Sequence, residues 1–168
     1  MKTIAPCTLA IFGAGGNLSR RKLLPSLFRL EVANRLPENL AILGCDIVQR
    51  SRDEWVKMVS EIIRPLYSEA LDKAALARFS ARMHYFALPP GDDAAYIRLR
   101  DFLDGDESFP GNVVFYMAVR PADYPFIVDK LGEADLLKQK RGWRRVVVEK
   151  PFGYDLLSAQ TLQASLYK

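Results

Sequence analysis

Between an apolar run, Thr8-Leu-Ala-Ile-Phe12, and a leucine-rich stretch lies Gly13-Ala-Gly-Gly-Asn-Leu-Ser19. Glycines gathered at such a place let a phosphate group come up against the main chain, where a Cβ would stand in the way. The first turn of a following helix offers N–H groups and a partial positive charge to that anion. The pyrophosphate of a dinucleotide suits this chemistry. The usual spacing is G-x-G-x-x-G or G-x-G-x-x-A. Gly13 and Gly15 take the first two places, and Leu18 does not fit the third. Gly13, Gly16 and Ser19 give a second spacing, with a small residue where helix meets sheet. A branched side chain at Gly16 is expected to occupy the pyrophosphate's place. A glycine-rich turn that holds no ligand is the alternative for the same residues.

Other candidates stand at the ends of other apolar runs. Asp46 comes just after Leu40 to Leu43 and Gly44. In dinucleotide folds an acidic residue after the second strand accepts hydrogen bonds from a ribose 2′-OH, whereas an arginine pairs with a 2′-phosphate. A turn residue facing water is the other reading of Asp46. Arg50 and Arg52 follow in the turn, and either could fold back onto a 2′-phosphate, as could Arg20 or Arg21 from the helix. Lys150 follows Val146-Val-Val148 at the carboxyl end of a strand, where ligands sit in open α/β sheets. Its alternative is a solvated lysine before a helix-starting proline. The single histidine, His84, stands at the start of a strand, a position for a packed or solvated ring rather than a base. Cys7 and Cys45 have no metal-ligand spacing, so no metal is expected and a reducing cytosol is the default.

These residues need a sheet to bring them together. Strands are predicted at Thr8–Phe12, Leu40–Leu43 (ended by Gly44), near His84–Leu88, Val113–Met117 and Val146–Val148. Pro25 interrupts the helix carrying Leu23, Leu24, Leu27, Phe28 and Leu30, which predicts a kink or a restart with Pro25 in a first turn. Ser51-Arg-Asp-Glu54 is a capping box, with Trp55, Val56, Val59, Ile62, Ile63 and Leu66 at helical spacing behind it. Further helices are predicted over Asp72–Arg82, Ala94–Leu103, Tyr124–Ala134 and from about Leu156. The unbroken apolar run Val113–Met117 fits a sheet covered on both faces. Strand and helix alternate throughout, so the expected fold is α/β: a doubly wound, mostly parallel, Rossmann-like sheet with helices on both faces.

Composition sets the outer limits. The chain has 168 residues, 49% of them hydrophobic and 26% charged. That suffices for one buried core and excludes a tail, a disordered linker or a disulfide-stapled mini-protein. No apolar run approaches the roughly 18–20 residues that span a bilayer. Met1 to Cys7 lacks an apolar core of its own, so no secretion signal is expected. The balance of 24 basic against 20 acidic residues gives +4, consistent with an anionic ligand. Nucleic-acid binding would want a clustered basic face, which only Arg20–Lys22 and Lys138–Arg145 approach; no nucleic-acid partner is expected.

The motifs in order resemble one family. GAGGNLSRRK, Gly13 to Lys22, followed by Leu-Leu-Pro25, resembles the G-x-x-G-D-L-A-[KR]-[KR]-K…P opening of glucose-6-phosphate dehydrogenases. Pro37-Glu-Asn…Ile42-Leu-Gly44 resembles that family's second strand. Phe115-Tyr-Met-Ala-Val-Arg-Pro121, with Tyr124, resembles its F-Y-L-A-L-P-P loop, and Val147-Val-Glu-Lys-Pro-Phe-Gly153 its E-K-P-[FL]-G signature. The resemblance spans essentially the whole chain.

The resemblance implies a dinucleotide-binding domain over 1–168 in a cytoplasmic enzyme of the oxidative pentose phosphate pathway. Hydride would pass from C1 of glucose 6-phosphate to C4 of a nicotinamide, giving a lactone. With the residue reading, it implies coenzyme contacts at Gly13, Gly15, Gly16, Asn17, Leu18, Asp46, Ala118, Pro121 and Lys150, and substrate contacts at Lys22 and Lys150. Pro151 matches a cis-proline that directs Lys150. The coenzyme is NADP or NAD. Where the family has a small residue and an arginine after the second strand, this sequence has Asp46 and Ile47, which points to NAD. Gly15 stands where Thr, Ser or Lys is common, Asn17 replaces an aspartate, and Arg120 replaces a proline. Leu88-Pro-Pro-Gly91 lacks an acidic residue often found there. The family's proton-abstracting histidine, its orienting aspartate and an R-I-D-H-Y-L-G-K stretch lie beyond the E-K-P segment, in a substrate domain expected to be missing from this chain. No catalytic residue is therefore expected here. The chain alone is predicted inactive, with glucose 6-phosphate bound only alongside the missing domain and the oligomeric state left open. The alternative is a truncated dinucleotide-binding module that catalyses nothing.

Overall fold

Along β1 (Cys7–Phe12) the side chains alternate between two buried clusters, Ala10 and Phe12 on one face, Cys7 and Ile11 on the other. A strand apolar on both faces demands cover on both sides, and a computed structural model of the chain, describing residues 5–67, 70–150 and 156–166, supplies it. The remaining strands are β2 (Leu40–Asp46), β3 (Met83–Ala87), β4 (Val113–Met117) and β5 (Arg144–Val148). Every neighbouring pair is parallel, in the order β3-β2-β1-β4-β5. Helices α1 (Leu24–Val32), α2 (Arg52–Tyr67) and α3 (Lys73–Ala81) cover one face. Helices α4 (Ala94–Gly105) and α5 (Tyr124–Glu133) cover the other, and α6 (Leu156–Leu166) follows β5. The chain order reverses direction across the sheet between β1 and β4, the place where open α/β sheets bind ligands. Among the described residues no helix is long and apolar enough to cross a membrane.

The turn at Pro25 resolves in favour of a restart. Ser19–Leu23 form a π-helical turn in which the Leu24 N–H reaches back to the Ser19 carbonyl, and α1 begins with Pro25 in its first turn. The wider turn takes up a residue that has no N–H to give. Behind it, buried Glu31 accepts Nε of Arg78 at 3.0 Å and Nε of Arg82 at 2.8 Å, tying α1 to the end of α3. The capping box at α2 is present in both directions, Glu54 N–H to Ser51 Oγ at 3.2 Å and Ser51 N–H to Glu54 Oε2 at 2.7 Å.

Two strand ends differ from expectation by more than one residue. β5 begins at Arg144, whose side chain is buried against Asp104. β2 does not stop at Gly44 but continues to Asp46, pairing Ile11 with Gly44 and Phe12 with Cys45. Gly44 is a packing glycine. A Cβ on it would lie 2.8 Å from the Trp55 ring and 3.2 Å from the Ala14 Cβ. The bare backbone lets the fully buried Trp55 lie on the sheet two residues before the acidic residue at the tip of β2. Gly44→Ala should therefore lower stability by roughly 1–3 kcal/mol through overpacking. Urea unfolding measures it; an unchanged midpoint would mean that Trp55 has room to move.

Candidate functional site

The chain leaves β1 through Gly13 in a left-handed conformation, φ 77°. Most side chains avoid that region, and space forbids them as well. A Cβ on Gly13 would stand 2.7 Å from the Ala118 carbonyl oxygen and 2.9 Å from Val119 Cγ1. The loop is pinned from three directions. The N–H groups of Gly13 and Ala14 both donate to the Cys45 carbonyl, at 2.9 and 3.2 Å. The Gly13 carbonyl accepts the Gly16 N–H at 2.9 Å and the hydroxyl of buried Ser19 at 3.0 Å. Gly13, Gly16 and Ser19 thus meet around one oxygen, which makes the second of the two glycine spacings the one that closes the turn.

The N–H of Gly15 points the other way, to Asp46 Oδ2 at 2.5 Å. The other Asp46 oxygen accepts the N–H of Ile47 at 2.7 Å. Asp46 is thus the half-buried last residue of β2 rather than a turn residue facing water. Gly15 has to be small for this contact, because a Cβ there would approach Asp46 Oδ2 to 2.8 Å. Gly16 is confined by the loop itself: the nearest atom to a Cβ on it is the Gly13 carbonyl oxygen at 3.0 Å, so a larger residue also strains the loop's own hydrogen bond.

The helix opens at Asn17 and Leu18. Asn17 is exposed; the Leu18 side chain packs against the buried cluster of α1 and α2. First-turn N–H groups have no acceptor within their own helix. On the β4 side, Ala118 is buried and donates its N–H to the Phe12 carbonyl at 2.9 Å, joining the ends of β1 and β4. Pro121 opens the short helical turn Pro121–Asp123. Arg120, in place of a proline, closes that turn by pairing with Asp123 at 3.0 Å. Lys150 is exposed, just past the carboxyl end of β5, and Lys22 is exposed on the π-helical turn. Pro151 lies outside the described residues. Next to Lys150, the Tyr116 hydroxyl donates to the Glu149 carboxylate. Burial, and then that carboxylate, push the Tyr116 phenol up to about 12.

Other residues take structural parts. His84 stacks near Phe109, ring centroids 4.5 Å apart, and burial lowers its pKa. Burial, and then the charge of Asp46, push the Cys45 thiol well up. The basic stretch 138–145 is largely tied internally: Lys138 to Asp135, Arg141 to the Asp104 carbonyl, Arg144 to the Asp104 carboxylate and Arg145 over the Trp143 ring. Arg50 and Tyr85 were the residues that sequence reasoning underrated. Arg50 Nη1 donates to the Tyr85 hydroxyl at 3.0 Å, and that hydroxyl donates to the Val48 carbonyl at 2.5 Å. No local pattern marks a tyrosine on β3 as the support of an arginine beyond β2.

A parallel sheet with a tightly turned glycine loop at the reversal of strand order, and a carboxylate at the tip of the second strand, defines a Rossmann-type dinucleotide-binding domain. The family profile of "Glucose-6-phosphate dehydrogenase, NAD binding domain" matches residues 10–168. The chain belongs to that family. It is 37% identical over 168 residues to glucose-6-phosphate 1-dehydrogenase of Treponema pallidum, covering 98% of this chain and 33% of the relative. With the enzyme of Aggregatibacter actinomycetemcomitans the identity is 33% over 165 residues, 96% of this chain and 33% of the relative. The crystal structure of glucose-6-phosphate 1-dehydrogenase from Mycobacterium avium superposes with a TM-score of 0.81 at 31% identity, covering 97% of this chain and 34% of that one. A glucose-6-phosphate dehydrogenase solved in complex with its substrate glucose-6-phosphate gives 0.82 at 30% identity, covering 99% and 34%. The chain spans about a third of the length of the curated relatives it matches.

The loop geometry orders two substitutions. Gly13→Ala, which meets both a left-handed φ and the Ala118 carbonyl, should cost about 1–3 kcal/mol and weaken dinucleotide binding more than Gly16→Ala does. Thermal unfolding and calorimetric titration of both variants check it; the reverse order would mean that the turn is not closed at Gly13.

Proposed function

We propose that residues 1–168 serve as the coenzyme-binding domain of an NAD(P)-dependent glucose-6-phosphate dehydrogenase. The reaction is oxidation of glucose 6-phosphate at C1 to the lactone, in the oxidative pentose phosphate pathway. The observation that carries the reading is the cradle at Gly13, Gly15 and Gly16, where each glycine faces an atom that a Cβ would crowd. When bound, the nicotinamide supplies the hydride acceptor. The parts for this chain's own residues are binding and orientation. Main-chain N–H groups of the Asn17–Leu18 turn face the pyrophosphate, Ala118 and Pro121 line the coenzyme's path past β4, and exposed Lys150 and Lys22 offer cations to the sugar phosphate. Two free, buried cysteines fit a reducing cytoplasm.

The coenzyme proposed is NAD in preference to NADP. Asp46 ends β2 with its carboxylate fixed by two main-chain N–H groups, so its remaining lone pairs are aimed rather than freely rotating. A ribose 2′-OH can donate to such a group; a 2′-phosphate is repelled by it. Titration of the chain with NAD and NADP tests this. Asp46→Ala should weaken both coenzymes, because Gly15 loses its partner, but should shift their ratio toward NADP by about tenfold. Tighter NADP than NAD in the unsubstituted chain would defeat the preference.

A second expectation concerns turnover. Removing a proton from the C1 hydroxyl needs a general base, a contribution of roughly 10²–10⁴-fold. His84, packed on Phe109, offers none. The purified chain, given glucose 6-phosphate and either coenzyme, should form no lactone, as the alternative of a binding module without activity also expects. Measurable turnover by this chain would place the base among its own residues.

A further inference from the structure

Four arginines stand near enough in sequence to serve the adenosine end of the site, and they are differently placed. Arg20 and Arg21 are exposed on the π-helical turn. Arg52 is committed elsewhere: its Nε donates to the Met83 carbonyl at 2.8 Å and its Nη2 to the Ser80 and Ala81 carbonyls. Arg50 differs from all three. It is half-buried, its Nη1 held by the Tyr85 hydroxyl at 3.0 Å, with its guanidinium carbon 5.9 Å from the centre of the Tyr85 ring. Tyr85 itself is fixed by its hydrogen bond to the Val48 carbonyl and by Trp55, ring centroids 5.4 Å apart. Among the described residues no carboxylate forms an ion pair with Arg50. Glu54 spends an oxygen on the Ser51 N–H, and the Arg50 charge is the smallest of the influences on its carboxyl.

The position of that charge is defined by the loop. From the point where a Cβ on Gly15 would stand, Asp46 Oδ2 is 2.8 Å away and Arg50 Nη1 is 3.9 Å away. An anion acceptor and a cation donor thus flank one spot beside Gly15 without pairing to each other. Arg50 keeps donors unspent by the Tyr85 bond, and a guanidinium recognises phosphate oxygens in a planar, two-pronged way.

We propose that Arg50, braced by Tyr85, is the residue that admits a ribose 2′-phosphate to this site. Coenzyme choice is then set by the opposition of Arg50 and Asp46 across Gly15, so that NAD is favoured and NADP is accepted. Arg50 is the specificity-determining residue and Tyr85 a positioning residue that acts through it. This rests on the coenzyme reading above and adds to it a second, opposing determinant.

The experiment is calorimetric titration of the chain and of Arg50→Ala, Arg50→Lys and Tyr85→Phe. The probes are NAD, NADP, 5′-AMP and adenosine 2′,5′-bisphosphate, with circular dichroism and thermal unfolding to establish that each variant is folded. Loss of charge-assisted hydrogen bonds should weaken NADP and the bisphosphate by about 10- to 100-fold in Arg50→Ala, while NAD and 5′-AMP change by less than about threefold. Tyr85→Phe should move the same ratio in the same direction by a smaller factor, and Arg50→Lys should recover part of it. Equal losses for NAD and NADP in Arg50→Ala, or NADP binding that does not respond, would overturn the assignment. So would NADP that fails to bind the unsubstituted chain while NAD binds. If neither coenzyme binds that chain, the coenzyme reading itself falls and the assignment with it.

Discussion

The carbonyl of Cys45 accepts two hydrogen bonds from the loop that leaves β1, and the carbonyl of Ala118 passes 2.7 Å from where a Cβ on Gly13 would be. These two main-chain groups, from the strands on either side of β1, leave a passage only wide enough for a glycine backbone. Everything at the carboxyl edge follows from that narrowness. The chain must turn at once, with a left-handed residue first and a carbonyl that can be satisfied from within the turn by Gly16 and Ser19. The helix then starts at once, at Asn17. The anion site proposed there would owe as much to steric exclusion as to charge.

The same edge shows how the side chains beside the loop depend on residues outside it. Gly15 is the residue beside which Asp46 and Arg50 meet, and it contributes only an N–H and the lack of a Cβ. Both flanking side chains are held from outside the loop. Asp46 is held at the end of β2, where Gly44 leaves room for Trp55 against the strand; Arg50 is held by Tyr85, which leans on the same tryptophan. One buried indole therefore supports both signs of charge at the site. Among the described residues its Nε1 finds no hydrogen-bond partner.

The entrance to α1 solves a separate conflict. A proline at position 25 suits the start of a helix, yet the loop requires the helix to begin at Asn17. The π-helical turn at Ser19–Leu23 reconciles them by letting the Leu24 N–H skip to the Ser19 carbonyl. Ser19 is thereby used twice, its hydroxyl on the Gly13 carbonyl and its carbonyl on Leu24. The turn also leaves Arg20, Arg21 and Lys22 on the outside, where three adjacent cations cost little in water.

What the sequence determined by itself was whatever rests on local rules. The apolar runs, the capping box at Ser51–Glu54 and the strand–helix alternation are set by period, propensity and cap chemistry, and they appear with ends shifted by a few residues. The glycine loop was legible because its conformational demand is local. Tertiary structure alone decided which glycine does what. Gly44 reads as a strand terminator in sequence, and becomes a packing site because Trp55, on a different element, needs the space. Asp46 could have faced water until β2 was carried two residues further and met the Gly15 N–H. Between Arg50 and Arg52 the sequence offers no choice; a carbonyl cluster at the end of α3 takes one, and a tyrosine on β3 holds the other beside the loop. Apart from Gly44 and Trp55, which sit on successive elements, these are contacts between residues about 30 positions apart, fixed by strand order and register, and no periodicity within a single element encodes any of them.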